Sequence, residues 1–482
     1  MPVSKIKKKV TKNGVNHLKP VFKTTELYQR VLSELQLSQY NAFNEILEYF
    51  TSDNYGSDFI LLTGSAGTGK TFLASKVAEY LQSMYFCDVL LTAPTNKAVK
   101  VLRKNQEKKS GISFMTIHSA LGLEEVIDEN GEQKFLNQKQ SAIKIHNFDY
   151  MGIDESSMVD FVLFNQLLDE VYNKKIKILF IGDKSQIPPV NYPESAVFIK
   201  ETQEKYKIKE IELTVVIRQH HNNPIISFAN KLKDSLDDAK IISKLTSDVE
   251  YQNIPQITFL PQTKHEVIAT LRRFFLTEEF DIDGDYCKVL AWTNDCVDKF
   301  NMLIRKLKFG PTVPQLVIGE KLIFDKPWSP NRTPTYLTND EVVVRALTNH
   351  SIKLFDHEFL CYEALVSVEG ENSNMANNVI ILKNECYPMY EEVKSYLKSM
   401  ALSYPKGSME SKGWWVARYS FIKNFALVKY SYAITVHKAQ GSTYTHAIVA
   451  NYDINNNPRL IERNRIKYTA VTRPKETLHI IV

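Results

Sequence analysis

Three clusters of residues in this chain have the types and spacing that phosphate chemistry requires. The first is "GSAGTGKT", Gly64 to Thr71, which fits G-x-x-x-x-G-K-[ST] between an apolar run and a segment of helical period. In that strand–loop–helix setting the N–H groups of Gly64, Ser65, Ala66, Gly67, Thr68 and Gly69 face phosphates, Lys70 reaches the β/γ-phosphates and Thr71 holds Mg²⁺. The second is Asp154-Glu155 at the end of "FDYMGIDE". Asp154 suits the metal, through water or Thr71, and Glu155 suits orienting and deprotonating a water. An acidic helix cap is the plainer reading of such a pair, but the phosphate loop upstream favours catalysis. The third is Asp183 and Gln186 in "ILFIGDKSQIPPV", beyond a strand's carboxyl end, where a glutamine can sense a terminal phosphate. Arg218 and Arg473 lie near or beyond a domain junction. Each alone reads as a surface ion pair; as fingers closing on a cleft they can contribute about 10³–10⁵ in rate.

The elements that must position these groups follow from pattern. "YNAFNEILEYF" puts Phe43, Ile46, Leu47 and Phe50 on one helical face. Short apolar runs ("FILLTG", "DVLLTAP", "FDYMGIDE", "IKILFIGD") then alternate with helical segments, the rhythm of a parallel sheet wrapped by helices. The rhythm resumes at "YCKVLAWTN", "HAIVANYD" and "LHIIV". Two α/β domains are therefore expected, 25–215 and 216–305 with 425–482. They meet where Asn223 caps a helix with Pro224 at its first position. Asn130-Gly131 marks a hairpin insertion at about 122–145. Residues 306–424, rich in Pro, Asn and aromatics, read as a β-rich insertion. Within "SKGWWVARYSFIKNF", Trp415, Tyr419 and Ile422 fall at helical spacing and read as core packing the insertion on its domain, while Trp414 and Arg418 suit a single-strand platform as well.

Composition sets bounds. The chain has 482 residues, 44% hydrophobic and 24% charged, with net charge +5: an ordinary globular balance, compatible with a polyanion partner without requiring one. No apolar run suits a membrane span and the lysine-rich start lacks the core of a secretory signal. Residues 1–24 read as a basic flexible tail. Five scattered cysteines without metal spacing indicate reduced thiols in a cytoplasmic protein.

In order, "GSAGTGKT", "APTNKAVKVL", "TIHSALGL", "IDESSM", "GDKSQIPPV", "LTVVIRQ", "YAITVHKAQGSTYTHAIV" and "YTAVTR" resemble the motifs of superfamily 1B helicases of the RecD/Dda branch. The resemblance covers both α/β domains and thins inside 306–424. It implies two RecA-like parallel-sheet P-loop domains, with a hairpin "pin" in the first and an SH3-like insertion in the second. The implied activity is a monomeric, ATP- and Mg²⁺-dependent motor moving 5′→3′ on single-stranded DNA and opening forks. By motif position Gln39 reads adenine, and Lys70, Thr71, Asp154, Glu155, Gln186, Arg218 and Arg473 surround the phosphates. Gln440 and Gly441 couple the two sites, and Pro94, Thr95, His118, Thr293, Asn294, Thr435 and His437 line the strand. Phe135 or Phe114 would stack at the fork. Replication or recombination proteins would dock on the insertion or the basic tail. Two departures stand out: Ile217 where relatives carry an aromatic, and Pro474 after Arg473. The competing readings are a nucleic-acid-stimulated translocase that opens no duplex, and a nucleotide-gated recruitment module.

Overall fold

The computed structural model describes residues 26–51, 59–104, 111–127, 133–137, 142–172, 174, 176–215, 223–252, 254–328, 335–368 and 376–482. The basic tail, the Asn130-Gly131 turn and Ile217-Arg218 lie outside them.

Strands of a parallel sheet covered on both faces bury every residue, so they read as continuous apolar runs. β1 (Phe59–Gly64) and β2 (Val89–Ala93) are buried throughout. β3 (Ser113–Thr116), β6 (Tyr150–Ile153), β7 (Lys177–Gly182) and β8 (Lys209–Leu213) complete an all-parallel sheet in the order β3-β2-β6-β7-β1-β8. The helix Leu37–Thr51 buries Phe43, Ile46, Leu47 and Phe50 against it, as its period predicts. Between β3 and β6, β4 (Leu123–Ile127) and β5 (Gln133–Asn137) pair antiparallel as a separate two-stranded ribbon.

The second parallel sheet has the order β16-β10-β17-β18-β9, built from β9 (Ile257–Leu260), β10 (Cys287–Ala291), β16 (Ala433–Thr435), β17 (Tyr444–Ala450) and β18 (Pro474–Ile481). Its first helix, Pro224–Lys233, is capped by Asn223, whose side chain accepts from the Ile225 amide at 2.9 Å. Between β10 and β16 the chain builds an antiparallel sheet, β14-β13-β12-β11-β15, from β11 (Lys321–Phe324), β12 (Glu341–Leu354), β13 (His357–Val368), β14 (Asn377–Leu382) and β15 (Val428–Tyr430). Its last strand lies past residue 424 and is three residues long, too short to show a pattern. Two helices that the β-rich reading missed, Tyr387–Leu402 and Met409–Lys423, pack on this sheet. Trp415 is buried and Ile422 packs against the same core. Trp414 lies edge-on to Tyr396, and Arg418 reaches over the Trp415 ring.

A buried ion pair anchors the insertion. Arg305 donates through Nε and Nη2 to Glu320 at 2.7–3.0 Å, and the Tyr432 hydroxyl donates to the same carboxylate at 2.7 Å. Among the described residues no helix is long and apolar enough to cross a membrane.

Candidate functional site

The phosphate loop leaves β1 and enters the helix Lys70–Tyr85 through Gly67 and Gly69, at φ 81° and 76°. Left-handed backbone of this kind favours glycine. The Lys70 ammonium lies across the loop, donating to the carbonyls of Gly64 (2.7 Å) and Ser65 (2.9 Å). A phosphate entering the loop must take this ammonium over. Buried Gln39 donates to the carbonyls of Thr68 and Gly69 at 3.3 and 3.4 Å, so it is tied to the end of the loop.

Asp154 and Glu155 emerge from β6 directly opposite. The Thr71 hydroxyl donates to Asp154 Oδ2 at 2.9 Å, and Asp154 Oδ1 accepts from the Glu155 amide at 2.9 Å. Burial raises the Asp154 pKa, against those two hydrogen bonds. Glu155 has φ 52°, an uncommon conformation for a residue with a Cβ. Burial pushes its carboxyl up to about 7; Arg473 opposes the shift and Asp154 adds to it. A group poised there can take a proton near neutral pH.

The second domain closes the cleft. Arg473 is buried; its guanidinium donates to the carbonyls of Thr469 (3.0 Å) and Ser442 (3.2 Å). That corrects its reading, taken singly, as a surface ion pair: it is buried and its partners are backbone carbonyls. Gln440 donates from Nε2 to Ser157 Oγ (3.0 Å) and to the Ile187 carbonyl (3.2 Å), joining the two domains. Gly441 follows at φ 74°, where an added Cβ would meet Ala98 Cβ at 3.0 Å and Glu155 Cγ at 3.5 Å. On the 183–187 turn, Gln186 is buried with Oε1 lacking a partner, an acceptor waiting for a donor such as water.

The residues assigned to the strand form a repeated device. Thr95, Thr116, Thr293 and Thr435 each accept, through the hydroxyl, from the amide three residues on, at 3.2–3.3 Å. In each sheet these threonines follow the edge strand and its neighbour: β3 and β2 in the first, β16 and β10 in the second. Four helix starts therefore stand at equivalent places, with amides available for phosphate oxygens. Pro94 precedes the first. Asn294 follows the third, and Lys429 donates to its Oδ1 at 3.5 Å. Burial lowers the pKa of both His118 and His437, with Asp160 and Glu462 respectively opposing. Phe114 packs against the first core under the Arg103 guanidinium; the side chain of Phe135 lies outside the described ones.

Two residues escaped the sequence reading. Asp453 accepts from the amides of Trp292 and Thr293 and from the Thr293 hydroxyl, each at 2.8 Å. Tyr468 accepts from the Ala66 amide at 3.0 Å and donates to Asp183 at 2.6 Å. Both lie in quoted strings, "HAIVANYD" and "YTAVTR", but their partners are 160 and 285 positions distant. Among the described residues no group of three or more His, Cys, Asp or Glu could hold a metal ion. One hydroxyl and one carboxylate do fit Mg²⁺, which binds hard oxygens and keeps waters and substrate phosphates as most of its ligands.

Residues 51–192 match the AAA domain family and residues 430–481 the UvrD-like helicase C-terminal domain family. Over 440 residues the chain is 26% identical to the ATP-dependent DNA helicase dda of Enterobacteria phage T4, covering 86% of this chain and 92% of that one. It is 23% identical to the RecBCD enzyme subunit RecD of Buchnera aphidicola, covering 88% of this chain and 70% of that one. The chain is thus similar, over most of its length, to helicases of the Dda/RecD kind. Among solved structures it is similar to the Pif1 helicase of Candida albicans, at 18% identity and TM-score 0.44, covering 93% and 94% of the two chains.

Proposed function

We propose that this chain is an ATP-dependent DNA helicase that moves 5′→3′ along single-stranded DNA and opens duplexes ahead of it. The observation that carries the reading is the cleft itself: a phosphate loop and a raised-pKa glutamate on one sheet, faced by a buried arginine from the other. Both walls belong to one chain, so a cytoplasmic monomer suffices.

In the hydrolytic step the amides of 64–69 and Lys70 bind the ATP phosphates, and Gln39 fixes the loop end beside the base. Thr71 and Asp154 would hold Mg²⁺, which would supply charge neutralisation to the phosphate oxygens. Glu155 accepts the proton of the attacking water as its oxygen bonds to the terminal phosphorus and the bridge to ADP breaks. Gln186 orients that water, and Arg473, with Arg218 by its motif position, offsets charge on the transferred phosphoryl group. Gln440 and Gly441, in contact with Ser157 and beside Glu155, pass the change to the strand track. There the amides behind Thr95, Thr116, Thr293 and Thr435, with Pro94, His118, Asn294 and His437, grip backbone. Backbone contacts carry no sequence information, which a motor needs. The β4–β5 ribbon, a separate antiparallel pair between β3 and β6, is the candidate pin, with an ordinary surface hairpin as the competing reading.

The test is ATP hydrolysis with and without single-stranded DNA, beside unwinding of forks bearing one 5′ or one 3′ tail, with Glu155→Gln as control. Strong stimulation and opening of the 5′-tailed fork alone are expected. Stimulation without opening of either fork would leave a translocase.

A further inference from the structure

Two consecutive residues of the helix Leu460–Val471 cross the cleft. The Thr469 hydroxyl accepts from the Ile187 amide at 3.2 Å. The Tyr468 hydroxyl, fully buried, accepts from the Ala66 amide at 3.0 Å and donates to Asp183 Oδ2 at 2.6 Å. A phenol has one proton; once it is given to a carboxylate, only its lone pairs remain for Ala66. The other Asp183 oxygen accepts from the Ser185 amide at 2.9 Å, closing the turn that carries Gln186. One helical turn beyond Thr469, whose carbonyl holds its Nε, stands Arg473. One hydroxyl thus joins a phosphate-loop amide to the Gln186 turn, and the next residue of the same helix, Thr469, holds the arginine.

The Ala66 amide belongs to the set that faces phosphate, so the hydroxyl seated on it competes with a phosphate oxygen. We propose that Tyr468 is a positioning residue that reads nucleotide occupancy: it holds the Ala66 amide and Asp183 together in the empty cleft, and gives up the amide to phosphate. Its remaining bond to Asp183 then sets the register of Arg473 against the Gln186 turn. The inference rests on the hydrolytic reading of the cleft.

Tyr468→Phe deletes the hydroxyl and keeps the ring, so it tests the role with little change in volume. Removing the competitor should tighten a fluorescent ADP analogue several-fold. Loss of the Asp183 bond should lower kcat for DNA-stimulated hydrolysis by about tenfold, the worth of one hydrogen bond, with no rise in KM. Since the residue acts through Asp183, Tyr468→Phe with Asp183→Ala should be no slower than the slower single variant. ADP affinity and kcat both within twofold of the unaltered chain would overturn the proposal. So would weakened ADP binding together with a lowered melting temperature, which would mark a packing role. Absence of hydrolysis in the unaltered chain would instead refute the hydrolytic reading, and the ADP titration would still decide whether Tyr468 competes for the loop.

Discussion

Glu155 holds a left-handed backbone at φ 52°, a strain of about 1 kcal/mol or more for a residue with a Cβ. The chain maintains it with the Asp154 carboxylate on its amide and the Met158 amide on its carbonyl. Its raised carboxyl, at about 7 against an ordinary 4.5, makes two predictions. If Glu155 is the base, it must be ionised to act, so kcat/KM for ATP should climb as pH rises through about 7; a flat profile from pH 6 to 8 would remove it from that role. The same shift gives stability the opposite slope. Its contribution is fully present below the unfolded value of 4.5 and lost as pH rises through about 7, because the buried site disfavours the carboxylate. Glu155→Gln should therefore be more stable than the unaltered chain at pH 8, by on the order of 1 kcal/mol, and no more stable at pH 4, as measured by urea unfolding at both pH values. The carboxylate pair itself was legible because an apolar strand ends in it. Its pKa was not, since Arg473 and the burial that set it come from the far end of the chain.

At the scale of elements, one local rule recurs four times: a threonine after a strand caps the next helix. That much is written in "APTNKA", "TIHSA", "WTNDCV" and "TVHKA", and the parallel sheets were equally legible from their apolar runs. The inserted helices were less so. Tyr387–Leu402 sits in a stretch whose Pro, Asn and aromatic content hides helical period, while Met409–Lys423 shows it only at Trp415, Tyr419 and Ile422 and otherwise spreads its apolar groups around the axis. The caps are not energetically alike, because Thr293 alone of the four also donates to Asp453 at 2.8 Å. Thr435→Ala should cost about 1 kcal/mol, an ordinary cap. Asp453→Ala strips two amides and a hydroxyl of a buried carboxylate and should cost about 2–4 kcal/mol. Thermal unfolding of the two variants orders them; equal losses would show that Asp453 does no more than a cap. Asp453→Ala should also weaken single-stranded DNA binding, since it frees the Trp292–Asn294 turn.

For the whole molecule, the decisive contact is one that joins the first domain, the second domain and the insertion. Lys97 of the first domain donates to Asp285 (2.6 Å) of the second and to Glu341 Oε1 (2.8 Å) of the insertion. Fully buried Lys288 meets Glu341 Oε2 at 2.8 Å and the Ser431 carbonyl at 2.6 Å, and the Tyr444 ring lies beneath both ammonium groups. Next to Lys97, Asn96 donates to Asp340 at 3.1 Å. Burial opposes ionisation of Glu341, but Lys288 and Lys97 outweigh it and carry its carboxyl down to about 2. The stability this provides is fully present above 4.5 and lost as pH falls toward 2. Glu341→Gln leaves two ammonium groups facing each other without their shared anion, and should cost about 3–5 kcal/mol. Lys97→Met behaves differently, because Lys288 still neutralises Glu341 inside its own half of the molecule. It should cost much less in urea unfolding, yet release the first domain from the other two. Lys97 lies two residues past Thr95, so this release acts where the proposed strand track meets the second domain. X-ray scattering should then report a larger radius of gyration, and DNA stimulation of ATP hydrolysis should fall while the basal rate holds. If Lys97→Met instead destabilises the fold as severely as Glu341→Gln and leaves the scattering unchanged, the cluster is core and not a clasp between domains.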